Sequence, residues 1–259
     1  MTTIHPTAIV DPKAELAAGV EVGPYAVVGP DVKIGAGTVV QAHAFLSGHI
    51  TVGQNCQIFP FACVGMKSQD LKYQEGDVTY AEIGDGTVLR EFSTVHLGTK
   101  PGEVTRVGGG CLIMAYCHVA HGCSVGNHVI MSNLAALAGE VVVEDYAIIG
   151  GMTGVHQFCR IGIHAMIGGY TKVRQDCPPY MITETTGAET RVLGPNIVGL
   201  QRRGFSKEVR TALKEAYRFL YREGLNRGQA FERIRYEVEQ LPEIVTLVKF
   251  YAESQRGVH

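Results

Sequence analysis

The chain has 259 residues, and its 23 basic and 25 acidic side chains give a formal charge of −2 at pH 7. This balance excludes a general nucleic-acid binder, whose affinity comes from a clustered positive surface. The N-terminus has no basic segment followed by an apolar run, and no window approaches the roughly 18 apolar residues of a membrane span. We therefore expect a soluble cytoplasmic protein with neither a signal peptide nor a transmembrane segment.

A six-residue repeat runs through most of the chain. From Ile4 to Val64 every sixth residue is aliphatic, over eleven consecutive positions. The spacing breaks over residues 66–82 and then resumes as far as Val173, with one weak unit at Pro101. Chance does not produce so long a run, so the repeat decides the fold.

Each repeat unit is predicted to be one short strand and one corner. A small residue usually lies four places after the aliphatic one, which is two places before the next aliphatic residue and therefore on the same strand face as that residue. Gly, Asn, Asp and Pro between them supply the turns. The smallest closed figure with straight sides is a triangle, so three units of six residues make a coil of about 18 residues. Successive coils pair as strands and therefore lie about 4.8 Å apart. Residues 1–190 are thus predicted to be a mainly β domain, a parallel β-helix of hexapeptide repeats with an inserted loop at 66–82.

Residues 191–259 are predicted to form a C-terminal α-helical domain. The six-residue spacing is lost there, and Ser206 is a plausible N-cap, with Gly224 and Pro242 separating segments. Apolar residues recur at helical spacing at Val209, Leu213, Ala216 and Leu220. We expect three helices that cover the unpaired strand edges of the last coil.

The segment "CHVAHGC", from Cys117 to Cys123, has the composition of a zinc site. The repeat argues against this, because six of the seven cysteines occupy the small inward position and Cys63 alone does not. The six are Cys56, Cys111, Cys117, Cys123, Cys159 and Cys177. Inward cysteines cannot converge with outward histidines, so we predict neither a metal nor a cofactor.

The histidines of this segment follow a different rule. Stacking of residues one coil apart places His121, Gly139 and Gln157 in one column, with His156 beside it. Histidine is the usual general base near neutral pH, and a Gly N–H can stabilise an oxyanion, although a surface histidine is more often merely solvated. The chain has no GxSxG or Walker motif, which favours acid–base transfer without a covalent intermediate.

Motifs along essentially the whole chain resemble one family. They are "QDLKY" (69–73), "HVAHGCSVGN" (118–127), "LAGE" (137–140), "IIGGMTGVHQFCRIG" (148–162), "DCPPY" (176–180) and "NIVGLQRRGFS" (196–206). The chain is similar to acyl-[acyl-carrier-protein]–UDP-N-acetylglucosamine O-acyltransferases. This resemblance implies a left-handed β-helix homotrimer with sites between subunits. It also implies transfer of a (R)-3-hydroxyacyl chain from acyl carrier protein to the sugar 3-hydroxyl, the first step of lipid A synthesis.

The resemblance also assigns roles to residues. His121 matches the general base and Gly139 the oxyanion donor. The substrate-binding positions are Asp70 and Lys72 in the interrupting loop, His118, His156 and Gln157 in the cleft, and Asn196, Arg202 and Arg203 for nucleotide and phosphate. Gly169 matches the position whose size limits acyl length, and a glycine there implies room for a longer chain.

Three positions depart from the family pattern. Gly122 replaces an Asp that orients the base, Glu140 replaces a His, and Val198 replaces a Glu. Glu140, one coil away, is a candidate substrate-site residue that can supply the missing carboxylate, or else it is a solvated corner residue. Loss of the Asp keeps two alternatives open, an N-acyltransferase acting on a 3-amino UDP-sugar and a catalytically weak scaffold. A zinc enzyme resembling carbonic anhydrase fits the motifs least.

Overall fold

The structure is a computed structural model that describes residues 1–259. It contains 28 strands, most of them two residues long. In chain order they are β1 Thr3–Ile4, β2 Ile9–Val10, β3 Glu15–Leu16, β4 Glu21–Val22, β5 Val27–Val28, β6 Val32–Ile34, β7 Val39–Val40, β8 Phe45–Leu46, β9 His49–Val52, β10 Gln57–Ile58, β11 Cys63–Met66, β12 Tyr80–Ile83, β13 Val88–Leu89, β14 Thr94–His96, β15 Val104–Val107, β16 Leu112–Ile113, β17 His118–Val119, β18 Ser124–Val125, β19 Ile130–Met131, β20 Ala136–Leu137, β21 Val142–Val143, β22 Ile148–Ile149, β23 Gly154–Val155, β24 Arg160–Ile161, β25 Met166–Ile167, β26 Lys172–Val173, β27 Met181–Thr186 and β28 Glu189–Pro195.

The strands form three sheets of eleven, nine and eight members, and the chain visits the sheets in turn. All pairs are parallel except the final hairpin of β27 and β28. Thr3 pairs with Glu21, and Glu21 pairs with Val39, so one regular coil spans three hexapeptide units, as the repeat predicts. The architecture is the left-handed parallel β-helix of hexapeptide repeats that the resemblance implies.

Aliphatic side chains fill the interior of the prism in a single cluster of 43 buried residues. The six cysteines predicted to point inwards are all buried, and all seven cysteines are free thiols. All six are small enough for the narrow corner, and four of their thiols reach a carbonyl of the next coil, as Cys123 Sγ does at 3.1 Å from Ala138 O. The metal-like spacing of "CHVAHGC" is therefore a consequence of core packing.

One corner of the prism carries a column of stacked aromatic rings, here called the ring corner. Its members are Tyr25, His43, Phe61, Phe92 and Tyr116, with ring centroids 4.8–5.1 Å apart. All five have a positive φ, between 58° and 62°, in the left-handed region. The gain from ring stacking offsets the cost of that backbone conformation.

Two loops leave the prism in successive coils. Gln57 pairs with Val88, well beyond the length of a regular coil, because residues 67–79 form an inserted loop between β11 and β12. The loop is shorter than the predicted 66–82, since Met66 and Tyr80 belong to strands. The prediction of a repeat unit at Pro101 was wrong. The next coil, in which Val88 pairs with Leu112, is one hexapeptide unit longer than a regular one, and residues 97–103 form a second loop between β14 and β15.

The C-terminal region contains four helices: α1 Ile197–Arg202, α2 Lys207–Tyr221, α3 Arg227–Glu237 and α4 Pro242–Glu253. The sequence predicted three, and missed α1 because six residues are too few to show a helical period. Ser206 caps α2 as predicted, since its Oγ accepts a hydrogen bond from Val209 N at 3.3 Å. The helices share a second core of 14 buried residues. No helix has both the length and the apolarity that crossing a membrane requires.

Candidate active site

The predicted column of His121, Gly139 and Gln157 is present at the corner that follows β17, β20 and β23, here called the site corner. The backbone holds the column, because Glu140 N donates to His121 O at 3.0 Å and Phe158 N donates to Gly139 O at 3.2 Å. The imidazole of His121 lies directly on Gly139, where a Cβ would fall well inside contact distance of Nε2. Only glycine at position 139 leaves room for the ring in this place.

The Gly139 N–H donates no hydrogen bond within the chain. It therefore stands ready for an acceptor that arrives from outside, next to the His121 ring. An imidazole and a free backbone N–H side by side can supply the two groups that acyl transfer requires, a base for the nucleophile's proton and a donor for the developing oxyanion.

Charged side chains converge on His121 from three segments. Asp70 Oδ2 lies 3.6 Å from Nε2, and both side chains are mostly buried. The carboxylates of Glu103 and Glu140 approach the ring as well: one oxygen of each and one imidazole nitrogen all lie within 4.8 Å of one another. Lys100 Nζ lies 3.6 Å from Glu140 Oε1. The Nδ1 atom of His121 is buried and has no hydrogen-bond partner.

The two loops are tied together above this corner. Ser68 Oγ and Thr99 Oγ1 form a 2.6 Å hydrogen bond, and Ser68 Oγ also accepts from Asp70 N at 3.1 Å. The Glu103 carboxylate accepts a hydrogen bond from Thr99 N, which closes the second loop on itself. One loop thus positions Asp70 and the other positions Glu103.

Lys100 and Glu103 are not predicted from the sequence, because residues 97–103 resemble a weak unit of the repeat. The signal that would have found them is the spacing between Val95 and Val119. These residues pair directly although their separation along the chain exceeds that of Thr3 and Glu21, a regular coil, by one hexapeptide unit. An interruption of the coil length, and not only of the aliphatic pattern, marks a loop.

Two further histidines line the face next to His121. His118 shares a 2.7 Å hydrogen bond with Thr94 Oγ1, and its ring meets the His96 ring edge-on at 4.7 Å. Burial lowers the pKa of His96 to about 4, with smaller contributions from His118 and His121. Burial, and then the charge of His121, also lowers the pKa of His118. Both rings are therefore neutral near pH 7, and the His96 side chain is buried.

A shallow groove runs from His118 along the outer face of β20 and β23. Ala136 and Gly154 form its floor, and His156 and Lys172 lie along it. His156 is exposed, and its Nδ1 lies 3.2 Å from a guanidinium nitrogen of Arg256. Because the outward positions carry Ala and Gly, the face is open to an elongated apolar group.

The remaining predicted residues, apart from Lys72 on the first loop, lie away from His121 in a single chain. Gly169 is exposed at the ring corner, against Gly151 of the preceding coil. Asn196 caps α1, accepting from Gly199 N at 3.1 Å, at the third corner. Close to Asn196 in the sequence, the Arg203 guanidinium lies over the Tyr146 ring, 4.5 Å from its centroid. The side chains of Arg202, Val198 and Lys72 are exposed. One chain therefore gathers Asp70, His118, Glu140, His156 and Gln157 near His121, and leaves Gly169, Asn196, Arg202 and Arg203 on other corners.

The coil and its histidine corner define a hexapeptide-repeat transferase. The protein-family model described as bacterial transferase hexapeptide (six repeats) matches residues 13–48. A second model, UDP N-acetylglucosamine O-acyltransferase, domain 2, matches residues 176–259.

Named relatives match the whole chain. The acyl-[acyl-carrier-protein]–UDP-N-acetylglucosamine O-acyltransferase of Burkholderia lata is 49% identical, with 100% of this chain and 99% of the relative covered. That of Thiobacillus denitrificans is 48% identical with the same coverage. The chain therefore belongs to the family of acyl-[acyl-carrier-protein]–UDP-N-acetylglucosamine O-acyltransferases, and it is an acyltransferase.

Solved structures agree with this assignment. The UDP-N-acetylglucosamine acyltransferase of Francisella novicida superposes with a TM-score of 0.94 at 38% identity, covering 99% of this chain and 93% of that one. The UDP-N-acetylglucosamine O-acyltransferase of Moraxella catarrhalis gives 0.92 at 39% identity, with 98% of each chain covered.

Proposed function

We propose that this chain transfers a (R)-3-hydroxyacyl group from acyl carrier protein to the 3-hydroxyl of UDP-N-acetylglucosamine, the first step of lipid A synthesis. The observation that carries the proposal is the His121 ring seated on Gly139 beside an unused backbone N–H. The names of the full-length relatives support the same donor and acceptor for this chain.

In the proposed mechanism His121 acts as general base and no covalent enzyme intermediate forms. The imidazole takes the proton of the sugar hydroxyl as its oxygen attacks the thioester carbonyl. The Gly139 N–H stabilises the resulting oxyanion, and collapse of the tetrahedral intermediate breaks the carbon–sulfur bond. The imidazolium then returns its proton to the departing thiolate of the carrier protein, so that the enzyme is regenerated.

The other predicted residues are proposed to bind substrate. Asp70 and Lys72 on the first loop would contact the sugar nucleotide beside the base. The groove from His118 to His156 would hold the acyl chain next to Gln157, because its floor is built of Ala and Gly. Arg202 and Arg203 would bind phosphate and Asn196 the nucleotide, since guanidinium groups suit phosphate oxygens.

We further propose that the active form is a homotrimer with sites between subunits. Gly169, Asn196 and the arginines lie on different corners from His121 in one chain, so a neighbouring subunit would have to bring them to it. A trimer of prisms joins unlike corners in this way. The free thiol state of all seven cysteines also fits the proposed cytoplasmic location, which is reducing.

The alternative of N-acyl transfer drew its support from the missing Asp at position 122. Carboxylates of Glu103 and Glu140 nevertheless lie within reach of His121. A base that keeps an acidic neighbour can activate a hydroxyl, so the geometry favours the O-acyltransferase.

The test offers the purified protein (R)-3-hydroxyacyl-carrier proteins of several lengths with UDP-N-acetylglucosamine or its 3-amino analogue. We expect ester formation with the hydroxyl acceptor. His121→Ala should lower kcat by at least about a hundredfold, the lower end of the contribution of a general base, and His5→Ala at an exposed site is the matched control. Exclusive amide formation on the amino analogue would identify an N-acyltransferase. Transfer to neither acceptor would leave the scaffold hypothesis, and near-normal activity of His121→Ala would refute the mechanism.

A further inference from the structure

Gly122 and Glu140 are complementary in space. Gly122 has a φ of +64°, and a Cβ on it would lie 3.0 Å from Glu140 Cδ and 3.1 Å from Glu140 Oε2. The same Cβ would lie 3.3 Å from Glu103 Cδ. The absence of a side chain at position 122 is therefore what makes room for two carboxyl groups beside the catalytic corner.

We propose that Glu140 is the positioning residue for His121, accepting a hydrogen bond from the imidazole N–H that does not face the substrate. This inference rests on the proposed role of His121 as base. The carboxylate fixes the tautomer whose other nitrogen is free to take the proton, and it stabilises the imidazolium once formed. A charge-assisted bond of this kind is short and about twice as strong as a neutral one.

The backbone already places Glu140 for this role. Its N–H donates to His121 O at 3.0 Å, so the two residues occupy adjacent coils with their Cα atoms one strand spacing apart. The carboxylate lies within 4.8 Å of the ring. A rotation of a side chain that is 30% exposed closes the remaining gap, because only Lys100, itself 72% exposed, holds it at 3.6 Å.

Glu103 is less free to take this role. Its carboxylate is engaged by Thr99 N of the same loop. Moving it toward the imidazole would cost that hydrogen bond and would disturb the loop that is tied to Ser68. Glu103 therefore anchors the second loop, and Glu140 remains the carboxylate that can turn to the base.

The charged and titratable groups that face His121 come from every neighbouring segment. They are Asp70 of the first loop, Lys100 and Glu103 of the second, Glu140 of the next coil, and His96 and His118 of the adjoining sheet. The histidines are neutral near pH 7, so three carboxylates oppose one lysine around the ring. Removal of one carboxylate disfavours the imidazolium form, and the acid limb of activity then moves to lower pH.

The experiment measures kcat, KM and the pH profile of kcat/KM for Glu140→Gln in the full-length enzyme, with Glu21→Gln, at an exposed strand position, as matched control. We expect kcat to fall by about tenfold to a hundredfold with both KM values changed less than about threefold, and the acid limb to move down by about one pH unit. Thermal unfolding of each variant checks that the fold is retained.

A second pair of variants tests rescue. Glu140→Ala should lose activity like Glu140→Gln, and Gly122→Asp in the Glu140→Ala background should recover at least about tenfold, because Asp tolerates a positive φ and returns a carboxylate to the same space. Glu103→Gln should move the acid limb less than Glu140→Gln does, because only Glu140 is proposed to hydrogen-bond the imidazole.

Two results would overturn the proposal. One is a kcat of Glu140→Gln within about twofold of the parent, or a higher KM with an unmoved acid limb, which would make Glu140 a substrate contact or a solvated residue. The other is loss of activity with EDTA and recovery with added Zn²⁺, which would make the Glu103, His121 and Glu140 cluster a metal site. Failure of the proposed function is separate, since it appears as no ester formation by the parent enzyme, and failure of the proposed base appears as full activity of His121→Ala.

Discussion

The ring corner and the site corner have the same backbone conformation but differ in what their side chains do. At the ring corner, the second residue of each turn is a large ring with positive φ, and successive coils repeat the same contact from Tyr25 to Tyr116. At the site corner, the corresponding residues are Gly122, Glu140 and Phe158, and no two neighbours are alike. Repetition stabilises the prism, whereas the break in repetition creates a place for chemistry.

The contrast between the two corners indicates where functional residues lie in a repeat protein. Aromatic stacking at the ring corner stabilises the fold by about 0.5–1.5 kcal/mol per pair and requires no other neighbouring groups. A histidine seated on a glycine, with three carboxylates and a lysine around it, breaks the repeat, and exceptions of this kind concentrate at functional sites. Departure from the repeat is thus a stronger functional signal than the repeat itself.

The largest effect is expected from Gly139→Ala at the site corner. The new Cβ would collide with the His121 ring, so we expect kcat to fall by about a hundredfold as the base is displaced. Gly151→Ala, at the equivalent place of the ring corner, meets only Asn133 O at 3.2 Å and Ser132 Cβ at 3.9 Å and should change kcat by less than about twofold. Steady-state kinetics of the two variants give the contrast. Equal effects of the two substitutions would contradict the seating of the base on Gly139.

The ring corner also holds Gly169, proposed to limit acyl length. Gly169→Met should shift the preference in kcat/KM toward carrier proteins that bear shorter acyl chains. We expect a change of about tenfold for each pair of methylenes that no longer fits, which corresponds to a free energy of roughly 1.4 kcal/mol. Thermal stability should hold, since Gly169 is exposed. The measurement is a series of donors of different length, with Tyr170→Met next to it as control. An unchanged length profile would separate Gly169 from the acyl site.

The smallest effect is expected from Phe61→Ala. Its ring stacks on His43 at 4.9 Å and on Phe92 at 5.0 Å, so the free energy of unfolding should fall by about 1–2 kcal/mol. Activity should stay at the parental level, because the site corner is untouched. Denaturant unfolding followed with an activity assay checks both statements. A loss of activity without a loss of stability would show that the two corners are not independent.

The fold could be predicted from the sequence because a hexapeptide coil is a periodic object. Period, face and coil length all follow from aliphatic residues at every sixth position, and the His121 column follows from the coil length. The handedness does not follow from residues, since side-chain pattern is the same for either hand, and it came from the resemblance. Helix α1 was missed because a six-residue helix has no measurable period.

The candidate site was only partly predictable for a related reason. His121 and Gly139 lie on the regular column, and Asp70 lies on the obvious loop. Lys100 and Glu103 lie on a second loop whose insertion has the length of one repeat unit and therefore imitates it. The residues on other corners cannot be brought to His121 by any single-chain reasoning, because the distance between corners is fixed by the prism.

The strand register on either side of the loops has a consequence for how such a chain can change in length. After residues 67–79 leave the prism, Tyr80 returns to pair with His49, and after the second loop Val104 returns to pair with Tyr80. Whole segments can therefore be added or removed at these two exits while the aliphatic side chains stay inside. A deletion of one residue within a regular coil would instead turn every following side chain of that strand to the opposite face. The fold therefore tolerates insertions and deletions only where they keep the strand register. New binding loops can arise only where a strand already ends.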